Sequence, residues 1–323
     1  MQGASHSSPL PSPQCHPAHW PAPSRPASRH RHAGRCSVGH GLTEPLIAAS
    51  ARLQFSISQA EEAAELRAAA YLRAATFYTY PPGRSAWAER SHRRMKADSE
   101  WAALAAKVAG EEAQYRGVTV TALIATAPNS PGCSLAAQLA AELEPSAQLP
   151  AGWVGRPPGG GQRPALTAAA ADTSGRWLAG PGLQGAGRGP EGRAEPHLVV
   201  GSLDLNQGRA LPAEELQGRL PVLPPGGVEP APPCPRAYLS NVCVAAGARR
   251  QGVAQALVRA AEAVAVSAGV THLYVHVVRD NAAAVALYTQ GLGFQLEAQE
   301  SEAWARAANR PSRLLLVKAL RQQ

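Results

Sequence analysis

Residues 248–258 read ARRQGVAQALV, and this stretch decides the fold of the chain. Two arginines and a glycine stand directly before a run whose apolar residues recur at helical spacing, and Gly269 is placed to end that helix. The preceding run, RAYLSNVCV at 236–244, has the apolar and β-branched content of a strand. The stretch is therefore predicted to be a tight turn that leads from a strand into a helix.

This turn has the features of an anion-binding site. The first N–H groups of a helix have no partner within it and carry the positive end of its dipole. Gly252 has no Cβ and Ala254 is nearly as small, so a phosphate could approach the backbone, and Arg249 and Arg250 add positive charge. A turn glycine beside two solvated arginines would explain the same residues without a ligand. The P-loop and Rossmann glycine patterns are both missing, which argues against those nucleotide-binding classes.

Strands and helices alternate around the turn. Further strands are predicted at 52–60, 118–126, 197–208, 270–278 and 312–320. Further helices are predicted at 60–78, 86–114 and within 279–294, with a short one at 134–143. This order predicts an α/β fold in which helices flank a mixed central sheet.

Composition limits what else the chain can be. Its 323 residues include 30 Gly and 29 Pro, which indicates long segments outside a packed core. Pro, Gly and Ala dominate 128–196, which we interpret as a low-complexity insertion within a single domain that covers 48–323. No apolar run reaches ~18 residues, so no membrane span is expected. The five cysteines are too widely spaced for a zinc knuckle or a redox pair, so reduced thiols and no metal site are expected.

Positive charge is concentrated near the N-terminus. The formal net charge is +8, and the first 43 residues hold four arginines but no Asp or Glu. An acid-poor, Arg- and Ser-rich N-terminus without an apolar core is typical of an organellar transit peptide, and a disordered basic tail is the alternative. We therefore expect residues 1–47 to be a transit peptide, and we expect no nucleic-acid partner.

The run at 237–294 resembles the GNAT superfamily of acetyl-CoA-dependent N-acetyltransferases. The family signature Q/R-x-x-G-x-G/A is matched by residues 249–254, which end in Ala rather than Gly. A second family block is matched by Asn281, by Tyr288 seven residues later, and by GLGF at 291–294. Together with GSLDLNQG and AYLSNVCVA, these runs are most similar to the plastid branch of the family from plants and green algae. The resemblance thus implies a location in the plastid stroma.

The resemblance implies an acetyl-CoA site along the turn and the strand before it. In the family this strand splays from its neighbour, and its backbone pairs with the pantetheine arm, while the turn binds the pyrophosphate. The residues implied to bind acetyl-CoA are Val242, Cys243, Val244, Arg249, Arg250, Gln251, Gly252, Val253, Ala254, Asn281 and Tyr288.

Two side chains are implied to be catalytic, and core packing is the alternative role of each. Tyr288 is placed by the family motif to protonate the leaving thiolate, and an ordinary tyrosine pKa of ~10 keeps it protonated at neutral pH. His276 lies at a strand position where protein N-acetyltransferases of the family often carry the general base. Asp204 and Tyr238 are alternative bases. Cys243 is disfavoured as a nucleophile because the family transfers the acetyl group directly within a ternary complex.

The acceptor implied by the resemblance is a protein or peptide amine: an N-terminal α-amine, a lysine ε-amine, or both. A small-amine acetyltransferase with an enclosed aromatic pocket and a non-catalytic acyl-CoA-binding protein are the alternatives. We expect the loop at 205–235 and the first two helices to shape the acceptor pocket.

Overall fold

A computed structural model describes residues 53–129, 148–149, 153–158, 196–208, 211 and 236–321. The predicted transit peptide, the predicted helix at 134–143 and most of the 128–196 segment lie outside the described residues. The domain bounds predicted from the sequence therefore stay a prediction.

A mixed sheet of eight strands forms the centre of the described structure. Its strands are β1 (Ser56–Ala60), β2 (Val118–Pro128), β3 (Gln148–Leu149), β4 (His197–Gly208), β5 (Arg236–Val244), β6 (His272–Val278), β7 (Gln295–Gln299) and β8 (Arg313–Ala319). The strand order is β1-β2-β4-β5-β6-β8-β7, and β3 pairs with β4. Strands β5 and β6 run parallel, whereas the other pairs are antiparallel. The predicted α/β fold is thus confirmed.

Helices cover both faces of the sheet. They are α1 (Ala63–Phe77), α2 (Ala86–Val108), α3 (Val253–Ser267), α4 (Ala282–Ala286) and α5 (Glu302–Ala307). Arg73 of α1 donates a hydrogen bond to Ser202 of β4. The preceding residue of the strand is Gly201, and the space beside it is filled by Val253 and Leu257 of α3. Because successive residues of a strand point to opposite faces, α1 and α3 lie on opposite sides of the sheet.

Of the two N-terminal helices, α2 differs from the prediction at its C-terminal end. Helix α1 begins at a capping box between Glu62 and Glu65 and ends before the proline pair, as the sequence predicts. Helix α2 was predicted to reach residue 114, which is wrong, since it ends at Val108. Gly110 follows with a φ of 71°, a left-handed conformation that suits glycine and terminates the helix.

Parts of the 128–196 segment pack against the domain, although its composition predicts a low-complexity insertion. Leu149 is only 1% exposed and belongs to the main core. The Trp153 indole donates to the Glu65 carboxylate over 2.7 Å, and the Gln59 backbone N–H donates to the carbonyl of Arg156 over 2.9 Å. A few apolar side chains within a Pro- and Gly-rich run are thus enough to anchor it.

The sequence reading missed two elements near the C-terminus, β7 and α5. Strand β7 pairs antiparallel with β8 at the edge of the sheet, and most of its residues are exposed, so they lack the apolar alternation of a half-buried strand. Helix α5 is short and is capped by Ser301, whose hydroxyl accepts from the N–H of Trp304 over 3.2 Å.

Candidate active site

Strands β5 and β6 part halfway along their length. Their parallel pairing starts at Arg236 and His272 and stops at Leu239 and Val275, although both strands continue. In this ladder the later residues of β5 are therefore not paired with β6, so their backbone groups on that side face a gap between the strands. The splay predicted for the strand before the turn is present.

A β-bulge in β5 marks the point where the strands part. Ser202 of β4 pairs with Cys243, but Asp204 pairs with Ser240, so β5 carries an extra residue between these two pairs. Asn241 lies in the bulge and has a φ of 54°, in the left-handed region. A bulge bends its strand and increases the local twist, so β5 turns away from β6 just beyond their last pair.

A buried ion pair lies beneath the bulge. Arg73 donates through Nη1 and Nη2 to the two carboxylate oxygens of Asp204, over 3.0 and 2.5 Å, and both side chains are 1% exposed. Arg73 also donates through Nε and Nη2 to the Ser202 hydroxyl, over 3.2 and 2.9 Å. Asn241 donates to Asp204 Oδ2 over 2.8 Å. Burial acts to lower the pKa of Arg73, but the charge and hydrogen bonds of Asp204 outweigh it and raise that pKa.

This network bears on the choice of a general base. Both oxygens of Asp204 are engaged by Arg73, so Asp204 forms a buried structural contact rather than facing His276. The sequence reading missed Arg73 itself, although an arginine amid the run AAAYLRAATF was a signal that a charge enters the core. Its partner could not be identified, because it is 131 residues away along the chain.

The turn between β5 and α3 has the open backbone that an anion requires. Arg250 has a φ of 65° and Gly252, the N-cap residue of α3, has a φ of 85°. The positive φ of Gly252 favours glycine at this position. A Cβ built on Gly252 would meet nothing within 4 Å, so the space beside this residue is open. Arg249 is anchored, since its Nε donates to the carbonyl of Val244 over 3.3 Å. The predicted cradle for a phosphate is thus compatible with the local geometry.

The second family block places Tyr288 in the core on the α3 side of the sheet. Asn281 caps α4 by accepting from the N–H of Ala284 over 3.1 Å. Helix α4 then widens into a π-helical turn, Leu287–Gly291, which the sequence reading did not predict. The Tyr288 ring is 4% exposed and packs edge-on against Phe294, with 5.3 Å between the ring centroids. Burial raises the pKa of the Tyr288 phenol, so it is protonated at neutral pH.

His276 lies at the gap, on the opposite face of β6 from the main core. It is the first residue after the last β5–β6 pair, and its Nδ1 is 2.9 Å from the hydroxyl oxygen of Tyr238 on β5. Burial raises the pKa of the Tyr238 phenol. A hydrogen bond from the His276 backbone lowers this pKa by a smaller amount, and negative charge on Tyr288 would raise it further. The fold thus brings His276 and Tyr238 into contact and places Tyr288 within electrostatic range of Tyr238.

A cavity of about 250 Å³ opens beside His276. Its lining includes His276, Glu300, Ser301, Trp304, Arg313 and Leu315. Trp304 is 50% exposed, and Arg310 both stacks over its ring and forms a 2.5 Å ion pair with Glu300. Apart from His276, the lining comes from β7, β8 and the segment that holds α5. The first two helices do not line this cavity, and the expectation that they shape the acceptor pocket stays a prediction.

Cys243 has the properties of a structural thiol. It is 4% exposed, and burial raises its pKa to about 12, so the thiolate is scarce at neutral pH. The other four cysteines lie outside the described residues. Within the described ranges, no group of three His, Cys, Asp or Glu residues is placed to hold a metal ion. In the same ranges, no helix combines the length and the apolar character that crossing a membrane requires.

Sequence comparison relates the chain to acetyltransferases. Residues 222–294 match the model of the acetyltransferase (GNAT) family. GCN5-related N-acetyltransferase 7, a chloroplastic protein of Arabidopsis thaliana, is 36% identical over 267 residues, which cover 82% of this chain and 76% of that protein. GCN5-related N-acetyltransferase 6, also chloroplastic and from the same species, is 37% identical over 103 residues, which cover 30% of this chain and 34% of that protein.

Among solved structures, the PaiA N-acetyltransferase of Thermoplasma acidophilum in complex with coenzyme A is similar to 83% of this chain and 99% of its own. Its identity is 11% and its TM-score is 0.38, which is too low to carry an argument about function. Membership of a family therefore depends on the sequence relatives.

Proposed function

This chain belongs to the GNAT family of N-acetyltransferases, and we propose that it transfers the acetyl group of acetyl-CoA to a protein or peptide amine. Membership follows from the identity to the chloroplastic Arabidopsis protein over most of both chains. The observation that carries the proposal is the gap between β5 and β6, which starts at His276 and leads along β5 toward the turn at Gly252.

The turn and the unpaired side of β5 are the elements that would hold acetyl-CoA. At the turn, the first N–H groups of α3 and the arginines Arg249 and Arg250 attract the pyrophosphate, and Gly252 lets it approach the backbone. Along β5, the backbone of Val242, Cys243 and Val244 can pair with the amides of pantetheine as an added strand does. Gln251, Val253 and Ala254 complete the turn, and Asn281 shapes the helix that carries Tyr288.

Bound acetyl-CoA supplies the thioester, and the chain supplies the groups that move protons. The phenol of Tyr288 is neutral and buried, so it can donate a proton to the leaving thiolate. His276 accepts the proton of the attacking amine. In this role its Nδ1 carries the ring proton and donates to Tyr238 over 2.9 Å, and its Nε2 is the accepting atom. The presence of both Tyr288 and His276 also argues against a non-catalytic acyl-CoA-binding role.

The shape of the cavity beside His276 favours a protein or peptide over a small amine. Among the residues that the structure describes, its lining holds one aromatic residue of the Phe, Tyr and Trp class, Trp304, which is half-exposed, so the described aromatic rings do not enclose it. A pocket for an arylalkylamine would surround its ligand, because such ligands are held by burying most of their surface. An open site can instead admit the end of a peptide chain.

A plastid location is part of the proposal. The two Arabidopsis relatives are named as chloroplastic, and the first 43 residues of this chain have the acid-poor composition of a transit peptide. A fusion of residues 1–50 to a fluorescent reporter should enter plastids in plant cells. A cytosolic reporter would contradict the targeting role without affecting the enzymatic proposal.

The proposed activity is tested by incubating the full chain with acetyl-CoA and a peptide library, followed by mass spectrometry. Each peptide is supplied in two forms, one with a free α-amine and no lysine, the other with a blocked α-amine and one lysine. Arylalkylamines and polyamines form a parallel set, and Tyr288→Phe serves as the catalytic control. Acetylated peptides are expected; acetylation of small amines alone would exclude the protein-acceptor assignment.

A further inference from the structure

We propose that Arg73, Asp204 and Asn241 are positioning residues, which hold the bulge of β5 in the shape that opens the gap for the pantetheine arm. The proposal rests on the proposed acetyl-CoA site. It assigns a role to three polar side chains that the acetyl-transfer chemistry itself does not use.

The ion pair is a costly feature that core stability alone does not require. Arg73 and Asp204 are each 1% exposed, so both charges have lost their hydration. Replacement of a buried ion pair by apolar residues of similar size is often neutral or stabilising, whereas a buried pair can specify one arrangement among several. The question is therefore which arrangement this pair specifies.

The contacts of Asp204 indicate that the arrangement is the bulge. Arg73 holds Asp204 through two nitrogens and is itself oriented by two hydrogen bonds to Ser202 on the same strand. The carboxylate is thus fixed, and its Oδ2 accepts a third hydrogen bond, from Asn241 Nδ2 over 2.8 Å. A rigid, charged acceptor therefore points at the one bulge residue that has a positive φ.

The hydrogen bond to Asp204 acts on the backbone conformation of β5 at Asn241. Its φ of 54° is a conformation that residues with a side chain usually avoid, although Asn tolerates it better than most. The hydrogen bond to Asp204 favours the rotamer and backbone that the bulge needs. The last β5–β6 pair, Leu239 with Val275, lies two residues before Asn241. Loosening Asn241 should therefore let the strands approach or drift at the place where pantetheine would enter.

The variant that tests this role is Asn241→Gly. Glycine adopts a positive φ without strain, so the backbone stays permitted and only the hydrogen bond is lost. Asn309→Gly is the matched control, because Asn309 also has a positive φ, 50°, but lies at the end of α5. Asn309→Gly is expected to unfold at a temperature close to that of the natural chain. Asn241→Gly is expected to stay folded but to unfold at a lower temperature, because it loses a hydrogen bond to a buried charge. Thermal denaturation followed by circular dichroism measures both.

Two ligands separate positioning from general damage. Coenzyme A spans the turn and the gap, whereas adenosine 3′,5′-bisphosphate is a fragment that lacks the pantetheine arm and would bind near the turn alone. By calorimetry, Asn241→Gly should raise the Kd for coenzyme A about tenfold or more, the size expected for a hydrogen bond to a charged group. The Kd for the fragment should change less than about twofold, which is small on the same scale, and Asn309→Gly should bind both ligands like the natural chain.

The double variant Arg73→Met with Asp204→Leu tests the other half of the network. The apolar pair removes both charges together, so the fold is expected to persist while Asn241 loses its acceptor. Its Kd for coenzyme A should rise as in Asn241→Gly, and the triple variant should show little further loss, since all three substitutions break one contact. Additive losses would overturn the proposal.

The remaining outcomes are also decisive. Unchanged coenzyme A affinity in Asn241→Gly overturns the positioning role but leaves the proposed function intact. Equal loss of coenzyme A and of the fragment overturns it as well, because the defect would then not be confined to the gap. If the natural chain binds neither ligand, the proposed acetyl-CoA site and this inference both fail.

Discussion

Substitution of Gly201 tests how closely α3 packs on β4, and therefore how the proposed phosphate-binding turn is positioned. A Cβ at residue 201 would lie 2.8 Å from Val253 Cγ1, 2.9 Å from Leu257 Cδ1 and 3.2 Å from Ala125 Cβ. Separations below 3.0 Å between carbon atoms are repulsive, so the side chains of Val253 and Leu257 on α3 must shift away from the sheet in Gly201→Ala. Overpacking of this kind costs ~1–3 kcal/mol.

That cost translates into a measurable fall in the unfolding temperature. Each kcal/mol lowers the Tm of a domain of this size by ~2–4 °C, so Gly201→Ala should unfold about 2–12 °C below the natural chain. Gly291→Ala is the control, because its Cβ would find its nearest neighbours at 3.9 Å, an ordinary contact distance. Differential scanning calorimetry on both variants measures the difference.

A double variant tests whether the contact with Val253 causes the loss of stability. In Gly201→Ala combined with Val253→Ala, one of the two clashing methyl groups is gone, so the two losses of stability should be less than additive. An unchanged Tm in Gly201→Ala, or strictly additive losses in the double variant, would refute the claim that contact with α3 excludes a side chain at residue 201.

Three further substitutions test the proposed site. Gly252→Glu should abolish acetyl-CoA binding in calorimetry while the fold persists. The control is Gly110→Glu, which also has a positive φ and open space beside it and should bind acetyl-CoA normally. Unchanged affinity in Gly252→Glu would contradict the phosphate site. Tyr288→Phe should lower kcat by ~10²–10⁴-fold with little change in acetyl-CoA affinity, since the ring still packs, and full activity would mean that no side-chain acid is needed. Because burial raises the pKa of Tyr288, the natural enzyme should keep its acid, and hence its rate, up to a pH above the ordinary range of tyrosine. His276→Ala should lose most of its activity near neutral pH. The acidic limb of kcat/KM against pH should flatten, because protonation of a histidine base no longer limits the rate. The loss of activity should be smaller at high pH, where the attacking amine is already neutral. An unaltered pH profile would transfer the base to Tyr238 or to a water chain.

Features encoded by neighbouring residues could be predicted from the sequence. The turn at 249–254 and helix α3 follow from a glycine, two arginines and a 3.6-residue apolar period, all within one short stretch. The cap at Asn281 and the start of α1 likewise depend on side chains that bond to backbone groups two to four residues away. Local geometry is enough for these, because the bonds close within one turn of the chain.

Features that join distant residues could not be predicted. The tyrosine–histidine contact and the cavity beside His276 depend on the order β5-β6-β8-β7 and on the register of these strands. Strand β7 and helix α5 have weak local patterns, and their positions follow from pairing with β8. Leu149 and Trp153 lie in a segment whose composition indicates no structure, yet they pack where the rest of the fold leaves apolar surface.

The sequence by itself determined the family, the turn that we propose as the anion site and the two candidate catalytic side chains, because each of these resides in a contiguous motif. Only the tertiary structure decided where β5 leaves β6. That parting coincides with a bulge whose Asn241 is bonded to Asp204, which is held in turn by Arg73 from a helix more than a hundred residues earlier. No local pattern encodes such a contact, because its stability depends on two charges meeting in a core from which water has been removed.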